Sequence, residues 1–307
     1  MKILLVLPSD RVEPWRAALV AAVPGATVAL WPDAPPDPDY VLAWKPPADL
    51  FTRVQPTRAI FNLGAGVEAL LAIPKLPANV PVIRLEDAGM AVQMAEYATL
   101  AVLRVYREMD AYAAQQRSKI WQSRPRMAKS SFGVGILGFG VLGQTVASSL
   151  ASFGFPLRGW SRQRKAFPGV ESFSGGAELP AFLAGSRLLI SLLPVTAETI
   201  GLLDRAHLAM LPRGAHVVNI ARGEIVVDED LVDLIDDGHL SGATLDVFRT
   251  EPLPSAHPFW HHPRITVTPH NSAVTLIDES VAQIAAKIVR LERGEAVSGI
   301  VDRVHGY

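Results

Sequence analysis

A chain of 307 residues has room for two domains at about 150 residues each, and either is long enough to bury its own core. Hydrophobic residues at 49% and charged residues at 19% exclude a disordered or fibrous chain. A net charge of −1, from 29 basic against 30 acidic residues, gives no long-range field for nucleic acid or an anionic membrane, and the absence of cysteine removes disulfides, thiolate metal ligands and a thiol nucleophile.

The opening run Ile3 to Leu7, closed by Pro8-Ser9-Asp10, is too brief for a signal peptide and reads as a strand. Similar short apolar runs follow at Ala26 to Trp31, Tyr40 to Trp44, Ala59 to Leu63 and Val80 to Leu85, separated by helix-like segments. Strands that alternate with helices predict an α/β chain with a parallel sheet covered on both faces. The proline-rich tract from Pro32 to Pro38 is a loop, because proline removes donors and restricts the residue before it.

From Ala91 to about Arg117 a segment free of Gly and Pro carries Val92, Ala95, Val102, Leu103, Tyr106 and Met109 near helical spacing and predicts one long helix. A polar stretch, Gln115 to Ser131, then loops or forms an arm. Ser130 to Leu157 is uncharged and long enough to span a bilayer. Its six glycines, five serines and Gln144 fit a glycine turn and an amphipathic helix better. The expectation is a soluble, cytoplasmic protein without a membrane partner. A second alternating series runs from Phe132 to about Pro269. Val274, Ile277, Val281, Ile284, Ile288 and Leu291, with Gly294 as a stop, predict a C-terminal helix.

Within the second series, the run Gly133 to Leu137 leads into Gly138-Phe139-Gly140-Val141-Leu142-Gly143 and then a helix with Leu142, Val146, Leu150 and Phe153 on one face. Strand, glycine turn and helix in that order suit a dinucleotide: Gly138 for the tight turn, Gly140 for approach of a pyrophosphate, Gly143 for close helix packing, and the helix amides for the anion. The plainer alternative is a glycine turn in an ordinary α/β unit. An NAD site needs an acidic residue about 20 residues on, yet no Asp or Glu lies between Asp110 and Glu171. The next strand ends instead in Ser161-Arg162-Gln163-Arg164-Lys165, where Arg162 can pair with a 2′-phosphate and Ser161 can add a hydroxyl. The cofactor expected is NADP(H) in preference to NAD(H). Arg164 and Lys165 read equally well as solvated surface cations.

Three later runs end in reactive side chains: Val217 to Ala221 before Arg222, Ala243 to Phe248 before Glu251, and Ile265 to Pro269 before His270. Ligands in parallel sheets lie beyond the carboxyl ends of the strands. Arg222 would bind a substrate carboxylate and polarise a keto oxygen, His270 would supply the proton that accompanies hydride addition, and Glu251 would stabilise the imidazolium. Singly, each residue also reads as a surface cation, a turn or a core histidine; together, downstream of a dinucleotide loop, they favour reduction of a 2-keto acid. Asp246, inside an apolar strand, needs a partner: a nicotinamide amide or, equally, a helix-capping or backbone group. His257, His261 and His262 lack metal-ligand spacing, so no metal is expected, and no G-x-S-x-G elbow supports a hydrolase.

The glycine loop, the run Leu193 to Thr199, the run Val218 to Gly223, the run Leu245 to Leu253 and Thr268-Pro269-His270 together resemble the D-isomer-specific 2-hydroxyacid dehydrogenase family. Trp44-Lys45-Pro46-Pro47, the run Leu63 to Val67, Trp160-Ser161-Arg162 and the closing segment from Val301 to Tyr307 look more narrowly like its glyoxylate- and hydroxypyruvate-reducing branch. The resemblance implies a flavodoxin-like substrate domain (1–97 and 275–307) and an inserted Rossmann domain for NAD(P) (98–274), in a homodimer. It implies the trio Arg222, Glu251 and His270, and cofactor contacts that add Leu193, Pro194, Thr199, Ile220, Ala221 and Asp246 to the glycine loop, Ser161 and Arg162. It gives Trp44, Lys45, Ala65, Gly66 and Met90 to the substrate and directs Trp121 toward a partner subunit's site. Two departures matter: Asn271-Ser272 follow His270 where many relatives carry smaller apolar residues, and the missing acidic residue departs from the NAD-using majority but agrees with an NADPH-using subgroup. Glu251, which matches, speaks against the formate dehydrogenase branch. The implied activity is NADPH-dependent reduction of glyoxylate to glycolate and hydroxypyruvate to D-glycerate. A larger 2-keto acid, or a non-catalytic NADP(H)-sensing protein on the same scaffold, remains open at this point.

Overall fold

Each apolar run of the first ninety residues is a strand: β1 (Lys2–Val6), β2 (Thr27–Leu30), β3 (Tyr40–Ala43), β4 (Ala59–Asn62) and β5 (Val82–Arg84), with helices α1 (Val12–Ala22), α2 (Leu50–Arg53) and α3 (Glu68–Leu71) between them. The computed structural model describes residues 1–8, 10–64 and 66–303. All pairings in this sheet are parallel, in the order β2-β1-β3-β4-β5, which is the flavodoxin-like order. Every residue of β3 and β4 is buried, as expected of parallel strands covered on both faces.

The chain divides into two units, Met1–Met90 with Thr275–Tyr307 and Ala91–Val274; the first crossing therefore falls at the start of a helix, where 97/98 was expected. The second unit opens with α4 (Met90–Tyr106) and α5 (Met109–Arg117). The single helix expected over 91–117 is thus two. Glu108 adopts a left-handed φ of 53° and breaks it without Gly or Pro, while Arg104 pairs with Asp110 and Arg124 with Glu108 across the break. The apolar face stops there as well: α5 buries no residue, and Val92 and Met109, which share the helical spacing, are exposed.

Beyond an exposed stretch ending in a 3-10 turn at Lys129–Ser131 come β6 (Val134–Leu137), α6 (Val141–Ala151), β7 (Leu157–Ser161), β8 (Val170–Ser174), α7 (Gly175–Ala184), β9 (Leu188–Ser191), α8 (Arg205–Leu208), β10 (Ala215–Asn219), α9 (Asp228–Asp236), β11 (Leu240–Leu245) and β12 (Ile265–Val267). The seven strands are parallel in the order β12-β11-β10-β9-β6-β7-β8. The chain winds outward from β6 to β8, returns to β9 on the other side, and so places a topological switch point between β6 and β9. One core layer includes Phe182, Leu189, Val217 and Leu231, and the other includes Ala98, Ile136, Phe139 and Val218.

The chain re-enters the first unit with α10 (Ile277–Glu292), which buries Val281, Ile284 and Ile288 and lies against α1. Val274, assigned to this helix by spacing, lies outside it and is exposed. Gly294 ends α10 at a φ of 71°, with its N–H donated to Leu291 O and that of Glu295 to Arg290 O; that pair of bonds closes the helix only around a left-handed residue. Tyr40 Oη donates to Glu292 at 2.6 Å and anchors the same helix end on β3.

His216 in β10 has its Nε2 3.0 Å from Thr244 Oγ1, and burial pushes its pKa down from 6.5 to about 4. The unfolded chain binds that proton below about 6.5 and the folded chain only below about 4, so unfolding takes up a proton in between. Stability is expected to fall as pH drops through this window, by up to about 3 kcal/mol. Urea midpoints of wild type and His216→Gln between pH 7 and 4.5 check it: the glutamine variant should lack this part of the decline.

Candidate active site

The loop from β6 into α6 is built by what its glycines exclude. Gly138 has a φ of 108°, and a β-carbon there would lie 2.7 Å from the Leu192 carbonyl group, so it fits only glycine at the switch point. A β-carbon at Gly143 would lie 2.5 Å from Gly138 O and 3.2 Å from Ile136. Gly140 differs: a β-carbon there meets nothing within 4 Å. It caps α6, whose first-turn amides carry no intrahelical partner and a partial positive charge. An open space over a helix N-terminus is where an anionic group of a dinucleotide fits. Val141 is exposed and Leu142 half-buried there.

Phe139 stands apart from the other loop residues. Its ring is fully buried against Gly159 and edge-on to Phe167, and its N–H donates to Trp160 O at 2.8 Å. Both its polar donor and its side chain therefore serve the scaffold. At the end of β7, Ser161 Oγ donates to Gln163 O at 2.7 Å, and Arg162 is exposed. Arg164 is paired with Glu178 and with the Ser172 carbonyl, which makes it a structural cation. Leu193 is buried and Pro194 half-buried in the loop after β9. Thr199 Oγ1 donates to Pro194 O at 2.7 Å and accepts from Thr196 N at 2.8 Å, which folds that loop.

Arg222, Glu251 and His270 follow the carboxyl ends of β10, β11 and β12, three neighbouring strands. Their loops are fastened to one another. A β-carbon on Gly223 would strike the backbone of Phe248 and Arg249, and the Arg249 guanidinium donates to Val226 O at 3.2 and 2.7 Å. Asn219, buried at the end of β10, accepts from Ala221 N at 3.2 Å and donates to Arg222 O at 2.8 Å. Ile220 and Ala221 are buried, and the half-buried Arg222 has Nη1 on Ala221 O at 2.6 Å. Glu251 Oε1 accepts from Phe248 N at 3.1 Å, while Oε2 lies 2.8 Å from His270 Nδ1. One carboxylate oxygen thus holds the loop and the other holds the imidazole, leaving Nε2 as the ring nitrogen for a ligand. The His270 side chain is 41% exposed, enough to meet one.

Asp246 is fully buried. Its carboxylate accepts from Thr268 Oγ1 at 2.5 Å, Asn271 N at 2.9 Å and Ser272 N at 2.8 Å, so the structure supplies two backbone partners and a threonine hydroxyl. Asn271 and Ser272 act there through their amides. His257 faces Asp228, and His262 faces Asp236; among the described residues no three metal-ligating side chains come together.

In the first unit, Trp44 follows β3, and Lys45 holds a φ of 44° with Nζ 5.8 Å from the Trp44 ring centre. Gly64 packs on that ring with no room for a side chain. Asn62, at the end of β4, donates its amide to Gly64 O and Gly66 O at 2.8 Å each. Met90 is buried at the start of α4. Ala65 lies outside the described residues, as do 304–307 of the closing segment. Sequence reasoning passed over Asn62, Tyr97, Asn219, Arg249 and Thr268. For the two asparagines a signal was present, a lone amide ending an apolar strand run.

Residues 99–272 match the family described as D-isomer specific 2-hydroxyacid dehydrogenase, NAD binding domain. Over the full length of both chains, the sequence is 46% identical to glyoxylate/hydroxypyruvate reductase A of Serratia proteamaculans and 44% identical to that of Yersinia enterocolitica. Among solved structures, a D-isomer specific 2-hydroxyacid dehydrogenase from Xanthobacter autotrophicus Py2 in complex with NADPH and MES superposes with a TM-score of 0.95 at 40% identity, covering 100% of this chain and 99% of that one. An NADPH-dependent glyoxylate/hydroxypyruvate reductase from Sinorhizobium meliloti in complex with NADP and sulfate gives 0.93 at 34%, with the same coverage.

Two of these glycines are expected to separate on substitution. Gly140→Ala should leave the melting temperature within about 1 °C and abolish dinucleotide binding. Gly143→Ala should destabilise the second unit by about 1 to 3 kcal/mol through overpacking. Calorimetric melting with and without NADPH checks both.

Proposed function

We propose, starting from the fact that this chain belongs to the D-isomer specific 2-hydroxyacid dehydrogenase family, that it reduces short 2-keto acids with NADPH, glyoxylate to glycolate and hydroxypyruvate to D-glycerate. The observation that carries the chemistry is the 2.8 Å pairing of Glu251 with His270 Nδ1 beyond the same sheet edge as Arg222. Full-length likeness to glyoxylate/hydroxypyruvate reductases supports the substrate class.

The cofactor fits the second unit on three features: the open space above Gly140, the helix amides of α6, and Ser161 with Arg162 at the end of β7. Bound there, it supplies the hydride that adds to the keto carbon. Arg222 binds the substrate carboxylate and polarises the carbonyl as a permanent cation. His270, as imidazolium, holds a proton on Nε2 and delivers it to the carbonyl oxygen; in the reverse direction the neutral ring takes it back. Glu251, 2.8 Å from Nδ1, accepts that N–H and keeps the ring oriented with Nε2 toward the substrate. Arg162 meets the 2′-phosphate with paired donors, where an acidic residue would repel it.

Further parts of this reading rest on the resemblance. Phe139, Leu193, Pro194, Thr199, Ile220, Ala221 and Asp246 shape the cofactor site, and Trp44, Lys45, Ala65, Gly66 and Met90 bind substrate. The enzyme is a homodimer. Exposed apolar side chains at Leu100, Met109, Tyr112, Ile120, Trp121 and Met127 along α4, α5 and the following arm supply a face for a second copy, and Trp121 reaches toward the partner's site. The lack of cysteine fits a reducing cytoplasm. The paired Glu251 and His270 argue against a purely cofactor-sensing protein, which needs neither.

Following NADPH and NADH oxidation separately across 2-keto acids from glyoxylate to phenylpyruvate tests this function. Glyoxylate and hydroxypyruvate should be preferred, with kcat/KM at least about tenfold higher for NADPH; turnover of none of them overturns it. Arg162→Ala should raise KM for NADPH by about tenfold and leave that for NADH nearly unchanged. His270→Asn should lower kcat by about a hundredfold or more while NADPH binding, read by fluorescence titration, stays within about twofold.

A further inference from the structure

A line of polar groups, half-buried at Tyr97 and Thr268 and fully buried at Asp246, joins helix α4 to the backbone of the proton donor. Tyr97 Oη lies 2.6 Å from Thr268 Oγ1, which lies 2.5 Å from Asp246 Oδ1. The direction of these bonds follows from counting protons. A carboxylate only accepts, so the single proton of Thr268 goes to Asp246, and the hydroxyl oxygen is left to accept from Tyr97. Burial, the largest influence on the Tyr97 phenol, raises its pKa and keeps that proton in place.

Asp246 in turn gathers three consecutive amides. Its main-chain oxygen accepts from His270 N at 2.8 Å, and its carboxylate accepts from Asn271 N at 2.9 Å and Ser272 N at 2.8 Å. The turn so enclosed holds His270 at a φ of 54°. A residue with a β-carbon keeps that left-handed conformation only where its surroundings impose it. Glu251 fixes the ring from outside, and Asp246 fixes the backbone from inside.

We propose that Tyr97 and Thr268 are positioning residues for the reaction: their hydroxyls fix Asp246, and through it the left-handed turn that aims the His270 imidazole. The proposal rests on the reductase reading for its kinetic consequence, but not for its structural one.

Thr268→Val keeps the shape of the side chain and removes the hydroxyl, taking a donor from Asp246 and the acceptor from Tyr97. It should lower kcat by between about ten- and a hundredfold, with KM for glyoxylate and the NADPH dissociation constant within about twofold. Thr268→Ser should restore kcat to within about twofold of wild type, and Tyr97→Phe should fall between the two. The second readout needs no turnover: the His270 Nδ1–H resonance, hydrogen-bonded to Glu251, observed with 15N-histidine label and assigned by its absence in His270→Asn. It should shift or broaden in Thr268→Val and Tyr97→Phe and persist in Thr268→Ser. A Thr268→Val protein with a lowered melting temperature but wild-type kcat and resonance overturns the proposal, as does a serine variant as impaired as the valine one. If Thr268→Val fails to fold, Tyr97→Phe decides by the same two readouts. If the wild type reduces no 2-keto acid, the functional reading falls alone, and the resonance decides the positioning role.

Discussion

Gly223 lies so close to the backbone of Phe248 and Arg249 that no side chain fits between them. That contact presses the loop leaving β10 onto the loop leaving β11, and the Arg249 guanidinium on Val226 O adds a polar fastening beside it. Because Arg222 precedes the contact and Glu251 follows it, the separation of cation and carboxylate is a property of main chain against main chain. Core packing of this kind resists small displacements, which suits a site whose groups must meet one small molecule. The imidazole of His270 is then added by a bond to Glu251.

The second unit recognises anions with little net charge in the chain as a whole. A balance of −1 over the whole sequence provides no steering field. On the proposed reading, binding energy for phosphate comes from directed donors: the α6 amides opened by Gly140, and the Arg162 guanidinium just past β7. Such donors act over bonding distances and discriminate by geometry, so a change at one of them alters choice of cofactor more than general affinity for anions.

Much of this was legible in the sequence because parallel sheets write themselves as short apolar runs. The five runs of the first unit, the strand and helix around the glycine loop, and the polar residues just past β10, β11 and β12 all follow from that habit. The break at Glu108 was not legible. No glycine or proline marks it, and the ion pairs that hold it join residues whose proximity exists only after folding. Val92 and Met109 share the helical spacing yet are exposed, so the buried stripe is narrower than the periodic one. Phe139 sits within a motif whose residues suggest ligand contact, yet its ring finds space against Gly159, twenty positions away and invisible to a local pattern. For Asp246 the sequence showed a need for a partner without showing which; three donors from the segment 268–272 answered it.

The first unit is made from the two ends of the chain, with residues 91–274 set between them. On a ribosome the second unit is contiguous and can complete its sheet while synthesis continues, whereas α1 must wait for α10, translated after the whole of the second unit, before that neighbour exists. Long sequence separation slows such a pairing. While the second unit is being made, α1 stands without α10, and exposure to aggregation and to chaperones is concentrated on that uncovered helix face.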